Sequence, residues 1–294
     1  MILVKFIREN KKEVINSLNN RQFKNSDKII NEILVFDEKY RENLESIQKL
    51  QNKRNIISKE LSSIKKNSKE FNIKSNEVTN LKNKINDLTN LNEKIKAESD
   101  NLIHNIPNIS HDTVPIGKSS NDNKEIKKFG DVNKYDFKIK SHDEIGTKLN
   151  QMDFENAAKI SRSRFVILKN KLALLERALV NFMLDVHTKE NGYTEHSMPV
   201  IVNSKSMFGT SQLPKFENDQ YNLGDNLWLT PTSEVSLTNI VAGKIIEYDK
   251  LPLRLVSSTQ CFRKEAGAAG KDTKGMIRQH QFYKVEMVSI VEQE

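Results

Sequence analysis

The first hundred residues contain no glycine and no proline, the two residue types that most readily break an α-helix. Apolar side chains in this stretch recur at spacings of three, four and seven residues, which places each set on one helical face. The first set is Ile33, Phe36, Tyr40, Leu44, Ile47, Leu50, Ile57, Leu61 and Ile64, and the second is Val78, Leu81, Ile85, Leu88, Leu91, Ile95 and Leu102. This pattern predicts two long helices packed as an antiparallel coiled coil.

A segment rich in asparagine and serine, residues 67–76, lies between the two apolar sets. Such residues favour turns, so we expect a hairpin over about residues 27–104 with its tip near 67–76. Residues 1–20 predict one further short helix that packs elsewhere. Residues 1–106 together are the predicted N-terminal helical arm.

The outer half of the predicted hairpin is strongly basic. Residues 49–84 carry ten lysines and arginines against three glutamates, a local net charge of +7 in a chain whose total is +8. A solvated helical surface would also carry charge, but concentration at the far end of an arm favours binding of a polyanion such as nucleic acid. The candidate contacts are Lys49, Lys53, Arg54, Lys59, Lys65, Lys66 and Lys69.

The rest of the chain has a different composition. Residues 107–118 form a connector punctuated by prolines, and residues 119–294 alternate between strand and helix signals. Residues 165–168 predict a strand, followed by a helix whose buried face carries leucine and other apolar residues. That face is Leu168, Leu172, Leu175, Leu179, Phe182, Met183 and Val186. The predicted fold is α+β, with flanking helices on a mostly antiparallel sheet.

Several classes of protein are disfavoured by composition. The single cysteine, Cys261, excludes an intramolecular disulfide and suits a reducing compartment. We expect a soluble, cytoplasmic protein, because the chain has neither a signal-peptide pattern nor an apolar run of about 20 residues. The six histidines show no zinc-ligand spacing, so no zinc or other protein-bound metal is expected. Neither GxGxxG nor a Walker A lysine motif occurs.

The segment 261–287 is the strongest candidate for a binding site. One predicted strand ends in FRKE, a glycine-rich basic loop follows, and a second strand returns through QFYKVEM. Paired strands bring Arg263, Glu265, Phe282 and Glu286 to one face. Arginine suits phosphate, a carboxylate suits an exocyclic amine, and an aromatic ring stacks on a base. A charged hairpin with a flexible loop is the alternative interpretation.

A second candidate lies where a strand at residues 227–229 meets a helix predicted over residues 235–243. The sequence there is Thr-Pro-Thr-Ser-Glu, residues 230–234. Hydroxyls, a proline and an acid are ordinary residues for the start of a helix. In the functional interpretation, Glu234 holds an ammonium group while hydroxyls orient a small polar ligand.

Taken together, these segments resemble the bacterial-type seryl-tRNA synthetases, which are class II aminoacyl-tRNA synthetases. The hairpin resembles the tRNA-binding arm of that family, and IPNISHDTVPIGK resembles its connector. The segment from SRFVIL to MPVIV resembles the first class II motif, which forms a dimer interface. TPTSEVSLTN is similar to the serine-binding Thr-x-Glu element, and the segment from FRKE to KVEM to the second class II motif.

The resemblance implies a role for each matching residue. The implied serine contacts are Thr232, Ser233, Glu234 and Glu286. The implied ATP contacts are Arg263, Lys264, Glu265 and Phe282, with Arg263 catalytic. Arg263 would bridge the α-phosphate and the serine carboxylate, Glu265 would lie near the adenine amine, and Phe282 would stack on the ring. Lysines at positions 271 and 274, where the family often has arginine, keep charge but lose bidentate geometry.

The implied reaction is ligation of serine to the 3′ end of tRNA(Ser) through seryl-adenylate, with ATP as substrate and Mg²⁺ accompanying it. A homodimer formed through the core is also implied, with no membrane partner. The third class II motif is not found, so we expect the amino-terminal part of a synthetase, with a sheet incomplete at its C-terminus and no activity on its own.

Two other classes of function remain open. A tRNA-binding module or non-catalytic paralogue would keep the arm and a degenerate core, and would lack serine-dependent ATP–pyrophosphate exchange. A structural coiled-coil protein with a dimerising α+β head would bind neither an adenylate analogue nor RNA in a salt-dependent way.

Overall fold

Two helices of 38 and 37 residues dominate the first of the two units into which the chain divides, residues 1–130 and 131–294. The structure, a computed structural model, describes residues 2–66, 68–266 and 274–292. The helices of the first unit are α1 (Val4–Glu9), α2 (Lys11–Asn20), α3 (Ser26–Ser63) and α4 (Lys69–Asn105). Helices α3 and α4 pack against each other along their length, which confirms the predicted hairpin.

The tip of the hairpin lies earlier than the predicted segment 67–76. Helix α3 ends at Ser63 and α4 begins at Lys69, so most of that segment is helical. The reason is a cap: Ser68 has extended backbone, and its hydroxyl accepts a hydrogen bond from the Phe71 N–H at 3.1 Å. Asn67 lies outside the described residues.

The seam between α3 and α4 contains a polar pair where the apolar pattern predicted leucines. Leu44 and Leu91 are exposed, whereas Asn92 is buried and its amide oxygen accepts a hydrogen bond from the Asn43 side chain at 3.4 Å. The prediction for these two leucines was therefore wrong. An amide pair in a coiled-coil interior costs stability but favours one register of the helices.

The base of the hairpin carries the core of the first unit. Residues 4–20 form two helices rather than the one predicted, since the backbone of Asn10 leaves the helical region between them. Both contact α3. Their side chains complete a cluster of buried residues that comprises Ile2, Ile7, Val14, Leu18, Ile30, Ile33, Ile103 and Ile106. The N-terminal helices therefore close the open end of the hairpin.

The second unit is α+β, as predicted. Its helices are α5 (His142–Lys148), α6 (Phe154–Ser161), α7 (Asn170–Lys189), α8 (Ser204–Gly209) and α9 (Ser233–Asn239). Its strands are β1 (Met152–Asp153), β2 (Ile167–Leu168), β3 (Thr194–Glu195), β4 (Ile201–Asn203), β5 (Asn222–Gly224), β6 (Leu227–Leu229), β7 (Leu253–Phe262) and β8 (Gln281–Ile290). Strands β1 and β2 pair, and two three-stranded sheets have the orders β3-β7-β8 and β4-β6-β5. Only β3 and β7 pair in parallel among the described strands.

Helix α7 presents an uncovered apolar face. It contacts β3, β7 and β8, and Leu172, Val180 and Leu184 are half-buried. The predicted buried residues Leu175, Leu179, Phe182 and Met183 are instead exposed, with Phe182 at 64%. The prediction was wrong for these four because no part of the described chain packs over them. Their large apolar surface is the kind that marks an interaction site.

Candidate active site

The pairing of β7 with β8 aligns the predicted binding residues on one face of the sheet. Residues alternate between faces along a strand, so Phe282, Lys284 and Glu286 share a face. Their partners across the ladder are Cys261, Thr259 and Ser257, all buried. Helix α9 contacts both strands. The start of α9 therefore packs on this face of the hairpin, whose two strands have ten residues each.

At the start of α9, a threonine, a lysine and a glutamate form one cluster. Thr232 is the N-cap residue, and its hydroxyl donates to Oε2 of Glu286 at 2.6 Å. The Lys284 ammonium donates to the same hydroxyl at 3.1 Å and forms an ion pair with Glu286. An adjacent cation and carboxylate suit the two charged groups of a zwitterionic amino acid.

The other two predicted serine contacts lie differently. Ser233 is fully buried, and its hydroxyl is hydrogen-bonded to that of Thr259 at 2.6 Å. The side chain of Glu234 is exposed on the first turn of α9. The helix itself begins at Ser233 and ends at Asn239, so the predicted span 235–243 was displaced at both ends. The structure thus joins Thr232 with Glu286, but does not bring the Ser233 hydroxyl into that cluster.

Arg263 lies just beyond the end of β7 and contacts both halves of the site. Its Nε donates to the carbonyl of Pro231 at 3.2 Å, next to Thr232. Its guanidinium lies over the Phe282 ring, 5.2 Å from the centroid. Its backbone N–H donates to His280 at 2.9 Å, which fixes the chain where the strands diverge. The arginine is therefore held beside both the Thr232 cluster and the aromatic ring.

Glu265 is held by arginines from two different segments. Its carboxylate accepts from Arg278 at 2.8 Å, and its carbonyl accepts from Arg164 at 3.0 Å. Lys264 points elsewhere: its ammonium lies over the ring of Tyr221, 5.8 Å from the centroid. The structure therefore places Arg263, Glu265 and Phe282 together, and separates Lys264 from them.

Two clefts open around these side chains. One has a volume of ≈ 430 Å³ and the other of ≈ 470 Å³, and Arg263, Glu265 and Arg278 line both. Phe282 lines the second cleft, while Asp219 and Gln220 line the first. A larger cavity of ≈ 930 Å³ in the first unit contains none of the predicted site residues. We take the two adjoining clefts as the candidate nucleotide site because they contain convergent charged groups and an aromatic ring.

Cys261 is a buried thiol on this face, directly across the ladder from Phe282. Burial raises its pKa, so the protonated form is favoured.

Among residues 2–66, 68–266 and 274–292, no group of three or more His, Cys, Asp and Glu side chains has a metal-binding arrangement. In the same residues, no helix has both the length and the apolar character needed to span a bilayer.

The basic residues of the arm fall into two groups. Lys49 and Lys53 are neutralised by neighbouring glutamates, Glu45 at 2.6 Å and Glu77 at 2.8 Å. Arg54 donates to the Asn55 side chain at 3.0 Å. The remaining predicted cations are exposed, and no acidic group of the described chain lies within 4.0 Å of them. These are Lys59, Lys65, Lys66 and Lys69.

Sequence reasoning missed four residues of the site. Lys284 shared the strand alternation of Phe282 and Glu286 and could have been found from it. Arg278 lies inside the segment quoted for the resemblance. Asp219 and Arg164 gave no signal, since they reach the site through hydrogen bonds to the main chain.

Comparison with known proteins identifies the family. Residues 1–110 match the seryl-tRNA synthetase N-terminal domain, and residues 215–294 match the tRNA synthetase class II core domain (G, H, P, S and T). The serine–tRNA ligase of Ehrlichia canis (strain Jake) is 47% identical over 293 residues, which are 99% of this chain and 68% of that protein. That of Pelagibacter ubique (strain HTCC1062) is 49% identical over 269 residues, 90% of this chain and 62% of the relative.

Solved structures agree with the sequence matches. The crystal structure of seryl-tRNA synthetase from Pyrococcus horikoshii complexed with ATP is 35% identical, with a TM-score of 0.84 over 98% of this chain and 69% of that one. The cytoplasmic serine–tRNA ligase of Naegleria fowleri in complex with AMP is 25% identical, with a TM-score of 0.80 over 99% and 67%. The predicted resemblance is confirmed, and the chain belongs to the serine–tRNA ligases, the ATP-dependent class II aminoacyl-tRNA synthetases of serine.

Proposed function

We propose that this chain binds serine and ATP on the face shared by β7, β8 and the start of α9. The observation that carries the proposal is the position of Arg263, whose side chain contacts both the carbonyl of Pro231 and the ring of Phe282. A group placed there can contact a phosphate and a serine carboxylate at once. We assign residues 1–106 to the tRNA-binding arm, 107–118 to the connector and 119–294 to the catalytic core.

In the first step, the serine carboxylate attacks the α-phosphorus of ATP and pyrophosphate leaves. Negative charge builds on the α-phosphate oxygens, and a fixed guanidinium from Arg263 stabilises that charge. In the second step, a ribose hydroxyl of the terminal adenosine of tRNA attacks the seryl carbonyl, and AMP leaves. Positioning and electrostatics are the chain's contribution to the first step.

Recognition of serine falls to the first turn of α9 and its partner strand. Glu286, Glu234 and the hydroxyl of Thr232 are the proposed contacts for the ammonium and hydroxyl groups, and Ser233 supports the turn through its bond to Thr259. Buried polar groups around a substrate hydroxyl reject an analogue that lacks it, because they would be left unpaired. Discrimination against alanine follows from that chemistry.

Recognition of ATP falls to the two clefts. Phe282 stacks on adenine and Glu265 accepts a hydrogen bond from the adenine amine, whereas Lys264 has no assigned contact because its ammonium lies over the Tyr221 ring. Mg²⁺ neutralises the phosphates when it is bound with ATP. Mg²⁺ is commonly held mainly by substrate phosphates, so the ion would enter the site together with ATP.

The arm is the proposed binding site for tRNA(Ser). Support comes from its family match and from the exposed cations near its tip, which attract phosphates through counterion release. We assign that contact to Lys59, Lys65, Lys66 and Lys69 first, with Lys49, Lys53 and Arg54 contributing less because each already has a protein partner.

We also propose a homodimer in the cytoplasm, formed through the uncovered face of α7. Its large exposed side chains are apolar, and a second copy of the same helix would remove them from water. The face consists of Leu175, Leu179, Phe182 and Met183.

The site assignment is tested with Arg263→Lys, which keeps the charge and removes the planar fork. We expect the affinity for a non-hydrolysable seryl-adenylate analogue to fall about 10- to 100-fold, the loss typical of a hydrogen bond to a charged group. Calorimetric titration measures it. Arg254→Lys is the matched control, because Arg254 lies at the opposite end of β7 and donates to the carbonyl of Asn191 at 3.3 Å.

Equal analogue affinity in Arg263→Lys and the wild-type chain would refute the assignment. Salt-dependent tRNA binding without any binding of the analogue would favour the alternative of a tRNA-binding module.

A further inference from the structure

The short segment that follows β7 is held by residues from outside the β7–β8 hairpin. The carbonyl of Asp219 accepts the Lys264 N–H at 2.8 Å, and its carboxylate Oδ1 accepts the Ala266 N–H at 2.8 Å. Arg164 Nη1 donates to the carbonyl of Glu265 at 3.0 Å. Polar groups of three consecutive residues, 264–266, therefore have partners that are distant in the sequence.

The residue at the centre of this segment has an uncommon backbone. Glu265 lies in the left-handed region, with φ of +48°. Residues other than glycine occupy this region sparsely, and they remain there only when the surrounding structure enforces it. Asp219 accepts hydrogen bonds from the N–H groups of Lys264 and Ala266, and Arg164 donates to the Glu265 carbonyl, so the backbone is held on both sides of Glu265.

Because its backbone is held in this way, the Glu265 carboxylate faces the clefts. It lines both clefts and accepts a hydrogen bond from Arg278 at 2.8 Å. Asp219 is half-buried and lines the cleft of ≈ 430 Å³ together with Glu265. Arg164 also accepts the His280 N–H at 3.1 Å through its own carbonyl, so it fixes both sides of the opening between the strands.

We propose that Asp219 and Arg164 are positioning residues for the recognition of adenine. They hold the backbone of Glu265 so that its carboxylate faces the nucleotide. This inference rests on the proposed function, in which Glu265 accepts a hydrogen bond from the adenine amine. Asp219 acts through its acceptor oxygen rather than through its charge.

The test compares two ligands, the seryl-sulfamoyl adenosine analogue and its inosine counterpart. Inosine has a carbonyl in place of the amine and cannot donate to Glu265. In Asp219→Ala we expect affinity for the adenosine analogue to fall roughly 10-fold, the loss of about one hydrogen bond to a charged acceptor. Affinity for the inosine analogue should change less than about twofold, so the preference for adenosine is lost. Asp219→Asn, whose amide oxygen still accepts from Ala266, should restore the preference.

Two further variants complete the design. Glu217→Ala is the matched control, because it removes one negative charge from the same short turn, and the Glu217 side chain is exposed. Arg164→Met removes the hydrogen bond to Glu265 from the other side and should also abolish the preference. Hydrogen exchange of the Ala266 amide should be faster in Asp219→Ala and unchanged in Glu217→Ala.

The outcomes separate the two proposals. A wild-type chain that prefers adenosine, together with an unchanged preference in both Asp219→Ala and Arg164→Met, overturns the positioning role alone. An equal loss of affinity for both analogues in these variants also overturns the positioning role, since it shows general damage to the site. Loss of the preference in Asp219→Asn assigns the effect to charge and overturns it too. A wild-type chain that binds neither analogue refutes the proposed nucleotide site and this inference with it.

Discussion

Three lysines at the tip of the arm should contribute more to tRNA binding than three lysines along its sides. Lys65, Lys66 and Lys69 are exposed and have no acidic neighbour within 4.0 Å in the described chain. By contrast, the Lys74 ammonium donates a hydrogen bond to the Glu60 carboxylate at 2.9 Å, and this bond raises the pKa of the lysine. Lys49 and Lys53 are paired as well. An ion pair must be broken before such a lysine can contact a phosphate.

The expected size of the effect follows from counterion release. Each phosphate contact contributes about 0.7 to 0.9 to the slope of log K against log salt concentration. Removing three contacts in the triple variant Lys65→Ala, Lys66→Ala and Lys69→Ala should therefore reduce the slope by about 2 to 3. Affinity at 0.1 M salt should then fall by about 10²- to 10³-fold if all three lysines bind phosphates.

The assay is titration of tRNA(Ser) by fluorescence anisotropy at several salt concentrations. The matched control is the triple variant Lys49→Ala, Lys53→Ala and Lys74→Ala, which removes the same total charge from the same hairpin. We expect its slope to change by less than about 1. Equal changes of slope in the two triple variants, with unchanged helix content by circular dichroism, would contradict the division of the arm into free and paired cations.

Three other perturbations give direct readouts. Phe182→Lys places a charge on the uncovered face of α7 and should weaken self-association at least about tenfold, measured by sedimentation; an unchanged mass distribution would exclude this face as the interface. Gly275→Ala should lower stability by about 1 kcal/mol in urea unfolding, because φ is +68° and the added Cβ would clash with Nε2 of His142; a wild-type midpoint would show that the turn adapts. Hydrogen bonds from Asn156 lower the pKa of Asp153 from 3.8 to about 2, so its stabilisation is complete above the ordinary carboxyl pKa and is lost as pH falls through about 2. Asp153→Asn should remove this pH dependence of the free energy of unfolding, measured by urea unfolding at several pH values. A profile identical to that of the wild-type chain would refute the role of Asp153.

Local patterns predicted most of the arm because its interactions are local. Spacing and the absence of helix breakers were sufficient for α3 and α4, whereas the tip depended on the single cap at Ser68. The polar pair in the seam could not be predicted from one helix, since the partner of Asn43 is Asn92 on the other helix. A heptad pattern ranks residues by polarity and does not include such a pairing.

In the site, too, features that depend on neighbouring residues could be predicted, and features that depend on distant residues could not. Strand alternation predicted that Phe282 and Glu286 share a face, because that property depends on adjacent residues alone. The left-handed backbone of Glu265 depends on hydrogen bonds that the segment makes with Asp219, an acceptor, and Arg164, a donor, both distant in sequence. Main-chain contacts of this kind leave no pattern of residue types. Periodicity likewise detected the apolar face of α7 but could not predict that it would be exposed, because the pattern does not identify what covers such a face.

The amide pair between Asn43 and Asn92 also bears on the position of the tip, because it favours one register of α3 against α4. About 20 residues of α3 separate Asn43 from the end of the helix at Ser63, a length of about 30 Å at 1.5 Å per residue. A slip of one turn between the helices would displace the tip cations by about 5.4 Å. That displacement exceeds the axial rise of about 3.4 Å per phosphate along one strand of a B-form duplex. By favouring one register of the two helices, the buried pair therefore influences which phosphates the cations at the tip of the hairpin can contact.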